Sequence, residues 1–259
     1  MDGSAATTAL VTGAGGDIGI AIARELAAAG HHVLVTDLDL DRARVAADQV
    51  PGATAAELDV RSTAGVRRTI GELAEAYGPL AVLVNNAAVC ANERFESIDE
   101  SVWSVDLDVV LGGAIRMCQA VLPAMREAGR GAVVNVASVN GHRYFGNDVY
   151  SAAKAGLLNL TRALAVQYGR FGVRINSVSP GTIATVGWQD RLRIHPEALE
   201  TAKRWYPMGQ VGTPQNVADA VAFLACDRAA WITGIDLPVD GGLLAGTHAL
   251  ALDIGAETV

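Results

Sequence analysis

Seven short apolar runs, each separated from the next by a stretch with helical spacing, constrain this chain more than any other feature. The runs are ALVT (9–12), HHVLVTD (31–37), ATAAELDV (53–60), LAVLVNNA (80–87), GAVVNVAS (131–138), VRINSVSPG (173–181) and IDLPVDGG (235–242). Between them, helices are predicted over 18–30, 39–50, 62–77, 99–127 and 148–168, followed by a loop-helix region (182–206) and a helix after Pro214. Strands this uniformly apolar do not show the in–out alternation of a half-exposed sheet. They read as parallel strands buried on both faces by the intervening helices. Strand–helix alternation of this kind specifies an α/β, doubly wound sheet with right-handed crossovers. No repeat, linker or low-complexity stretch divides the chain, so its 259 residues read as one domain.

Composition narrows the range of functions. The chain is 51% hydrophobic and 19% charged, enough to build a large core. A net charge of -8 argues against nucleic acid or an anionic membrane as the main partner. No basic n-region precedes an apolar run at the N-terminus and no apolar stretch reaches membrane length, so neither a signal peptide nor a span is expected. Cys90, Cys118 and Cys226 are odd in number and far apart, which suits free thiols in a reducing, cytoplasmic setting and offers no metal spacing. No metal is expected.

Two clusters carry chemistry. TGAGGDIG (12–19) follows the first strand and opens the first helix, where backbone N–H groups and the helix terminus present positive charge to a pyrophosphate. Asp37, at the end of the second strand, is placed to accept both hydroxyls of an adenosine ribose and to repel a 2′-phosphate; Leu38 and the Gly15–Gly16 pair bring no cation to offset it. NAD is therefore expected over NADP. The second cluster is Tyr150 and Lys154, one helical turn apart on one face. Lys154 is one of two lysines against eighteen arginines. A compact ammonium beside a phenol is expected to lower its pKa and let Tyr150 exchange protons near neutrality, a task a planar guanidinium suits poorly. Ser138 ends the fifth strand at the carboxyl edge of the sheet, where ligands sit, and its hydroxyl can hold a substrate oxygen.

These motifs, in this order, resemble the short-chain dehydrogenase/reductase family over nearly the whole chain. LDV (58–60) resembles the family's adenine-binding segment, NNAA (85–88) its Asn-Asn-Ala-Gly motif, and Ser138 with YSAAK (150–154) its catalytic core. SPGTIAT (179–185) resembles the segment over the nicotinamide, and WITGIDLPVDGG (231–242) the C-terminal signature. The resemblance implies a Rossmann-type fold, hydride transfer between NAD and a carbinol or carbonyl, and a homotetramer or homodimer. It implies a catalytic set of Ser138, Tyr150 and Lys154. The implied cofactor set is Gly13, Asp17, Ile18, Asp37, Leu38, Asp59, Val60, Asn86 and Ala88, with Tyr150, Lys154, Pro180, Gly181, Ile183 and Thr185 on the nicotinamide side. Three residues depart from the pattern. Asp17 stands where the middle glycine of the turn is usual, Ala88 replaces a glycine, and Val110 falls where an asparagine is expected to lend a main-chain carbonyl to a proton relay.

The substrate side is less specific. Residues 186–207 lie where the family has a mobile lid and carry Trp188, Trp205, Tyr206 and four basic side chains. Ser138, Asn140, Tyr144 and Trp188 are the expected substrate contacts, and His142 and Arg143 are expected near the same pocket. A secondary alcohol on a sugar, polyol, or cyclic or polyketide-like ring fits equally well. The alternatives are a catalytically weakened NAD-binding scaffold or sensor, motivated by Val110 and Asp17, and a lyase or epimerase using NAD transiently, for which the chain is short.

Overall fold

The structure, a computed structural model, describes residues 7–91 and 94–256, with Asp190 described in its backbone only. Strands β1 (Thr8–Val11), β2 (His32–Asp37), β3 (Thr54–Glu57), β4 (Leu80–Asn85), β5 (Gly131–Val136), β6 (Val173–Pro180) and β7 (Asp236–Val239) form one parallel sheet in the order 3-2-1-4-5-6-7. Strand order reverses between β1 and β4, so the crevice that such a reversal opens lies above their carboxyl ends. This is the expected doubly wound, Rossmann-type single domain.

Helices cover both faces. On one, Ile22 and Leu26 of α1 (Asp17–Ala28) and Val217, Val221 and Leu224 of α9 (Pro214–Ala225) pack on Val11, Val35 and Val134. On the other, Val66 and Ile70 of α3 (Thr63–Tyr77) and Met117, Val121 and Met125 of α5 (Gly113–Ala128) pack on Leu10, Leu34 and Leu83. Local signals set the helix starts. The Asp39 carboxylate caps α2 (Leu40–Ala47) by accepting from the Asp41 and Arg42 N–H groups, and Ser62 caps α3 through the Gly65 N–H. Thr213 and Asn216 form a reciprocal box ahead of Pro214 at the start of α9.

The helix expected over 99–127 is not continuous. It divides into α4 (Glu100–Leu107), a π-helical turn (Asp108–Gly112) and α5. The Gly113 N–H reaches back to the Asp108 carbonyl, which also accepts from Arg116 Nη1 at 3.3 Å. Arg116 Nη2 holds the Asp108 carboxylate at 2.6 Å, and Gly113 packs so close to Val60 that a Cβ there would lie 2.7 Å from its Cγ2. Tertiary contacts on both sides of the turn therefore widen it, and π turns of this kind concentrate at functional sites. The region 182–206 holds a 3-10 turn (Val186–Trp188) and the short helices α7 (Gln189–Ile194) and α8 (Ala198–Lys203). A further helix, α10 (His248–Asp253), was not expected from sequence. Among the described residues no helix is long and apolar enough to cross a membrane.

Candidate active site

The glycine turn leaves β1 beside the end of β4, and the two are stitched together by polar groups. Thr12 Oγ1 accepts from the Asn86 and Ala87 N–H groups at 3.0 and 3.1 Å, and Asn86 Nδ2 donates to the Thr12 and Gly13 carbonyls, both at 3.0 Å. Gly13 has φ +60, and a Cβ on it would stand 2.7 Å from the Ala87 Cα. Gly13→Ala is expected to cost about 2–4 kcal/mol from the left-handed backbone and the overlap together. Denaturant unfolding checks this, and an unchanged midpoint would contradict it. Beyond the turn, α1 begins with no side chain capping its first N–H groups, and nothing lies within 4 Å of a Cβ built on Gly16. That leaves a helix N-terminus open to an anion.

Asp37 sits at the end of β2, 5% exposed, with Oδ2 accepting from the Gly15 N–H at 3.0 Å and Oδ1 from the Asp39 N–H at 3.2 Å. Arg42 Nη1 lies 3.9 Å from Oδ1. Sequence reading missed this cation; the signal was the Asp39 cap, which starts α2 so that its first turn faces back on β2. Asp59 is paired with its neighbour Arg61 at 2.8 Å, which holds its carboxyl below the usual range, and Val60 is buried against Gly113. Ile18 packs on the core beside the turn, whereas Leu38 and Ala88 are exposed.

At the other end of the crevice, β5 leads to Ser138 and a 3-10 turn (Val139–Gly141) before α6 (Asp148–Tyr168). Ser138 Oγ accepts from the Asn140 N–H at 3.2 Å. The Asn140 amide is committed to the Gly146 carbonyl at 2.7 Å and Ser151 Oγ at 3.1 Å, so it braces the loop that carries the exposed Tyr144. Lys154, 2% exposed, donates to the Val136 carbonyl at 2.5 Å and lies 5.4 Å from the centre of the Tyr150 ring. One strand residue earlier, Asn135 donates to Thr161 Oγ1 at 2.8 Å and accepts from Asn85 Nδ2 at 2.8 Å.

Electrostatics here correct the expectation that Lys154 lowers the Tyr150 pKa. Burial pushes the phenol up to about 12, with the Ser138 hydroxyl pulling the other way and Cys90 and Asp106 adding to the rise. Burial pushes the Lys154 ammonium down to about 7, partly offset by Cys90. Removing both groups from water penalises both charged forms, and in the protein alone this outweighs their mutual attraction. Cys90 and Asp106 were not anticipated. Asp106, on α4, is buried and accepts from the Ala91 N–H at 3.1 and 3.2 Å, and burial raises its carboxyl. Cys90 is exposed as a residue, yet its sulfur is covered enough that burial and Asp106 push the thiol up to about 11. No local pattern marks either residue, because only the fold brings them to Tyr150.

Val110 is buried within the π turn, and the turn packs against α6. His142 bonds Asp236 at 2.7 Å, and that carboxylate also accepts from Ser177 and Ser179, so His142 ties the loop to β7. Ile183 buries its side chain in the core and pairs with Gly212 across an isolated bridge. Pro180 ends β6; Gly181 packs against Tyr206, where a Cβ would meet the ring at 3.0 Å. Thr185 precedes the 3-10 turn, and the Arg191 guanidinium lies 4.9 Å from the Trp188 ring. Asp17 bonds across the fold: its Oδ2 accepts from the Val186 N–H at 2.5 Å.

The open α1 terminus, the close-packed Gly13 and the buried Asp37 fit a dinucleotide, with Asp17 the one charge of the wrong sign. Among the described residues no cluster of ligating side chains fits a metal ion. A glycine turn opening an uncapped helix at the strand-order reversal, with a phenol and a buried lysine beyond β5, defines the class: a Rossmann-type oxidoreductase. Comparison with known proteins agrees. The family model described as Enoyl-(Acyl carrier protein) reductase matches residues 13–244. An uncharacterized oxidoreductase of Schizosaccharomyces pombe is 42% identical, over 96% of this chain and 95% of its own. D-threitol dehydrogenase of Mycolicibacterium smegmatis is 37% identical, over 90% and 91%. The crystal structure of a short-chain dehydrogenase/reductase family oxidoreductase from Burkholderia thailandensis superposes with a TM-score of 0.92 at 40% identity, covering 98% of this chain and 99% of that one. The chain belongs to the short-chain dehydrogenase/reductase family.

Proposed function

We propose that this protein is an NAD(H)-dependent oxidoreductase that interconverts a secondary alcohol and its ketone, with Tyr150 as the general acid and base. The observation that carries the reading is the buried Lys154 beside the Tyr150 ring, with the Ser138 hydroxyl hydrogen-bonded to the phenol. A stability-driven core has no use for a lysine desolvated to a pKa of about 7. A bound nicotinamide supplies or accepts the hydride. Ser138 Oγ donates to the substrate oxygen and fixes it within reach of Tyr150. On reduction the phenol gives its proton to that oxygen; on oxidation the phenolate takes it back. Lys154, when protonated, stabilises the phenolate, and its Val136 bond holds the ammonium beside the Tyr150 ring.

Asp37 supports NAD over NADP. Its buried carboxylate suits ribose hydroxyls, and the exposed Arg42 reaches only one of its oxygens. Asp37→Ala is expected to weaken NAD binding by roughly 10–100-fold, the value of charge-assisted bonds to hydroxyls, and to erase the preference over NADP. Equal NAD affinity in variant and wild type would sink the assignment. Residues 186–207 serve as a substrate lid, with Trp188 and Tyr144 on the substrate side. A sugar, polyol, or cyclic or polyketide-like alcohol fits, and the likeness to a D-threitol dehydrogenase supports a polyol among these. Apolar residues left on the surface, Trp231 at 98% exposure and Val166 at 84%, support a homo-oligomer, tetramer or dimer, and the free, separated cysteines support a reducing, cytoplasmic setting.

The test is a cofactor titration followed by a panel of secondary alcohols, read by NADH absorbance. Turnover of any member with NAD supports the reading. NAD binding with no turnover of any member would favour a binding scaffold instead.

A further inference from the structure

We infer that Asp17 is a positioning residue that latches the leading end of the 186–207 lid to the nucleotide turn. The inference rests on the lid reading proposed above. Asp17 is the first residue of α1, at a turn position where the sequence pattern expects glycine, which has no side chain to reach anything. Its carboxylate accepts the Val186 N–H at 2.5 Å, joining two residues 169 positions apart. A bond between a carboxylate and a backbone N–H is charge-assisted and belongs to the stronger class.

Its position gives the bond its meaning. The segment's trailing end is held by the body of the protein: the buried Tyr206 hydroxyl accepts from the Thr182 N–H at 2.7 Å, and the Met208 N–H donates to the Gly241 carbonyl at 3.2 Å. Just ahead of the segment, the Ala184 N–H donates to the Gly212 carbonyl at 2.9 Å and the Gly212 N–H to the Thr182 carbonyl at 2.9 Å. Val186 lies two residues past this stitched base, where the 3-10 turn begins and leads into α7. Asp17 therefore grips the lid at its hinge. The same contact explains how an acidic side chain is tolerated beside a phosphate turn. The lid backbone engages the carboxylate, and the N–H groups of α1 remain uncapped.

Limited trypsin digestion tests this, because Arg191, Arg193, Lys203 and Arg204 lie in the segment and many arginines lie outside it. Cleavage within 186–207 of Asp17→Ala and Asp17→Gly is expected to rise about tenfold over wild type, the effect of losing one charge-assisted bond on a local opening. Cleavage elsewhere is expected to stay constant. Asp17→Asn, which keeps an oxygen acceptor, is expected to fall between. Lid cleavage at the wild-type rate in the Ala and Gly variants would overturn the proposal. So would a parallel rise inside and outside the segment, which marks general destabilisation. NAD titrated against wild type by tryptophan fluorescence separates the two readings: absence of NAD binding removes the cofactor assignment, while the digestion pattern alone decides the latch.

Discussion

Tyr150→Phe is expected to lower turnover by about 10²–10⁴-fold or more, while the NAD titration stays as in wild type. The variant deletes one oxygen from a ring whose surroundings are otherwise kept, so cavity and packing change little. It removes the proton that Ser138 and Lys154 are arranged around. Burial holds the phenol at about 12, so the group rests in its acid form at neutrality, ready to protonate an oxygen during reduction. For oxidation the phenolate must form first. The wild-type oxidation rate is therefore expected to climb with pH above neutrality, and whatever activity survives in the Phe variant to show no such climb. A Phe variant with wild-type turnover would remove Tyr150 from the mechanism.

Lys154→Met is expected to make the protein more stable and inactive. The folded state holds this ammonium at about 7, well below its ordinary 10.5, because burial disfavours the charge. A lysine with a depressed folded pKa costs stability in full below the folded value, where both states carry the proton. The cost fades as pH rises toward the unfolded value, since in that window only the unfolded chain is protonated. Methionine has nearly the same length and no charge. Set against the loss of the bond to the Val136 carbonyl, about 1 kcal/mol, the variant gains about 4 kcal/mol near pH 6. The gain should close to nearly nothing by pH 10. Urea unfolding at the two pH values reads the difference directly. Equal stability of variant and wild type at both would mean that the buried lysine is not strained. A residue that costs this much is retained for chemistry, which ties the stability measurement to the proposed function.

That the sheet is parallel and covered by helices on both faces follows from apolar runs too continuous to tolerate water on either side, so this much could be read before any coordinate; the strand order 3-2-1-4-5-6-7 could not, because it depends on which strands pair. The same holds for the glycine turn and for the Tyr150–Lys154 spacing, because each is a local pattern with a local geometry. The π turn at Asp108–Gly112 could not be read. It depends on Arg116 folding back on Asp108 and on Val60 pressing against Gly113, neither visible in a helical wheel. Arg42 beside Asp37 and Asp17 beneath Val186 were hidden for the same reason: each pairing belongs to tertiary placement. The sign of the Tyr150 shift was misread because spacing reports which charges meet, whereas burial decides what each charge costs.

Asn135 and Val136, adjacent on β5, each hold α6 by a polar bond, one to Thr161 and one to Lys154. The two anchored positions are seven residues apart, two turns along the same stripe of the helix. Apolar side chains between a helix and a sheet can slide or roll at small cost, because dispersion contacts are many and weakly directional. Two directional bonds to one strand remove both freedoms: α6 can neither rotate about its axis nor slip along it without breaking them. The azimuth of Tyr150 is thereby indexed to the strand that delivers Ser138, so proton donor and oxygen holder keep their mutual aim when the loops around them move.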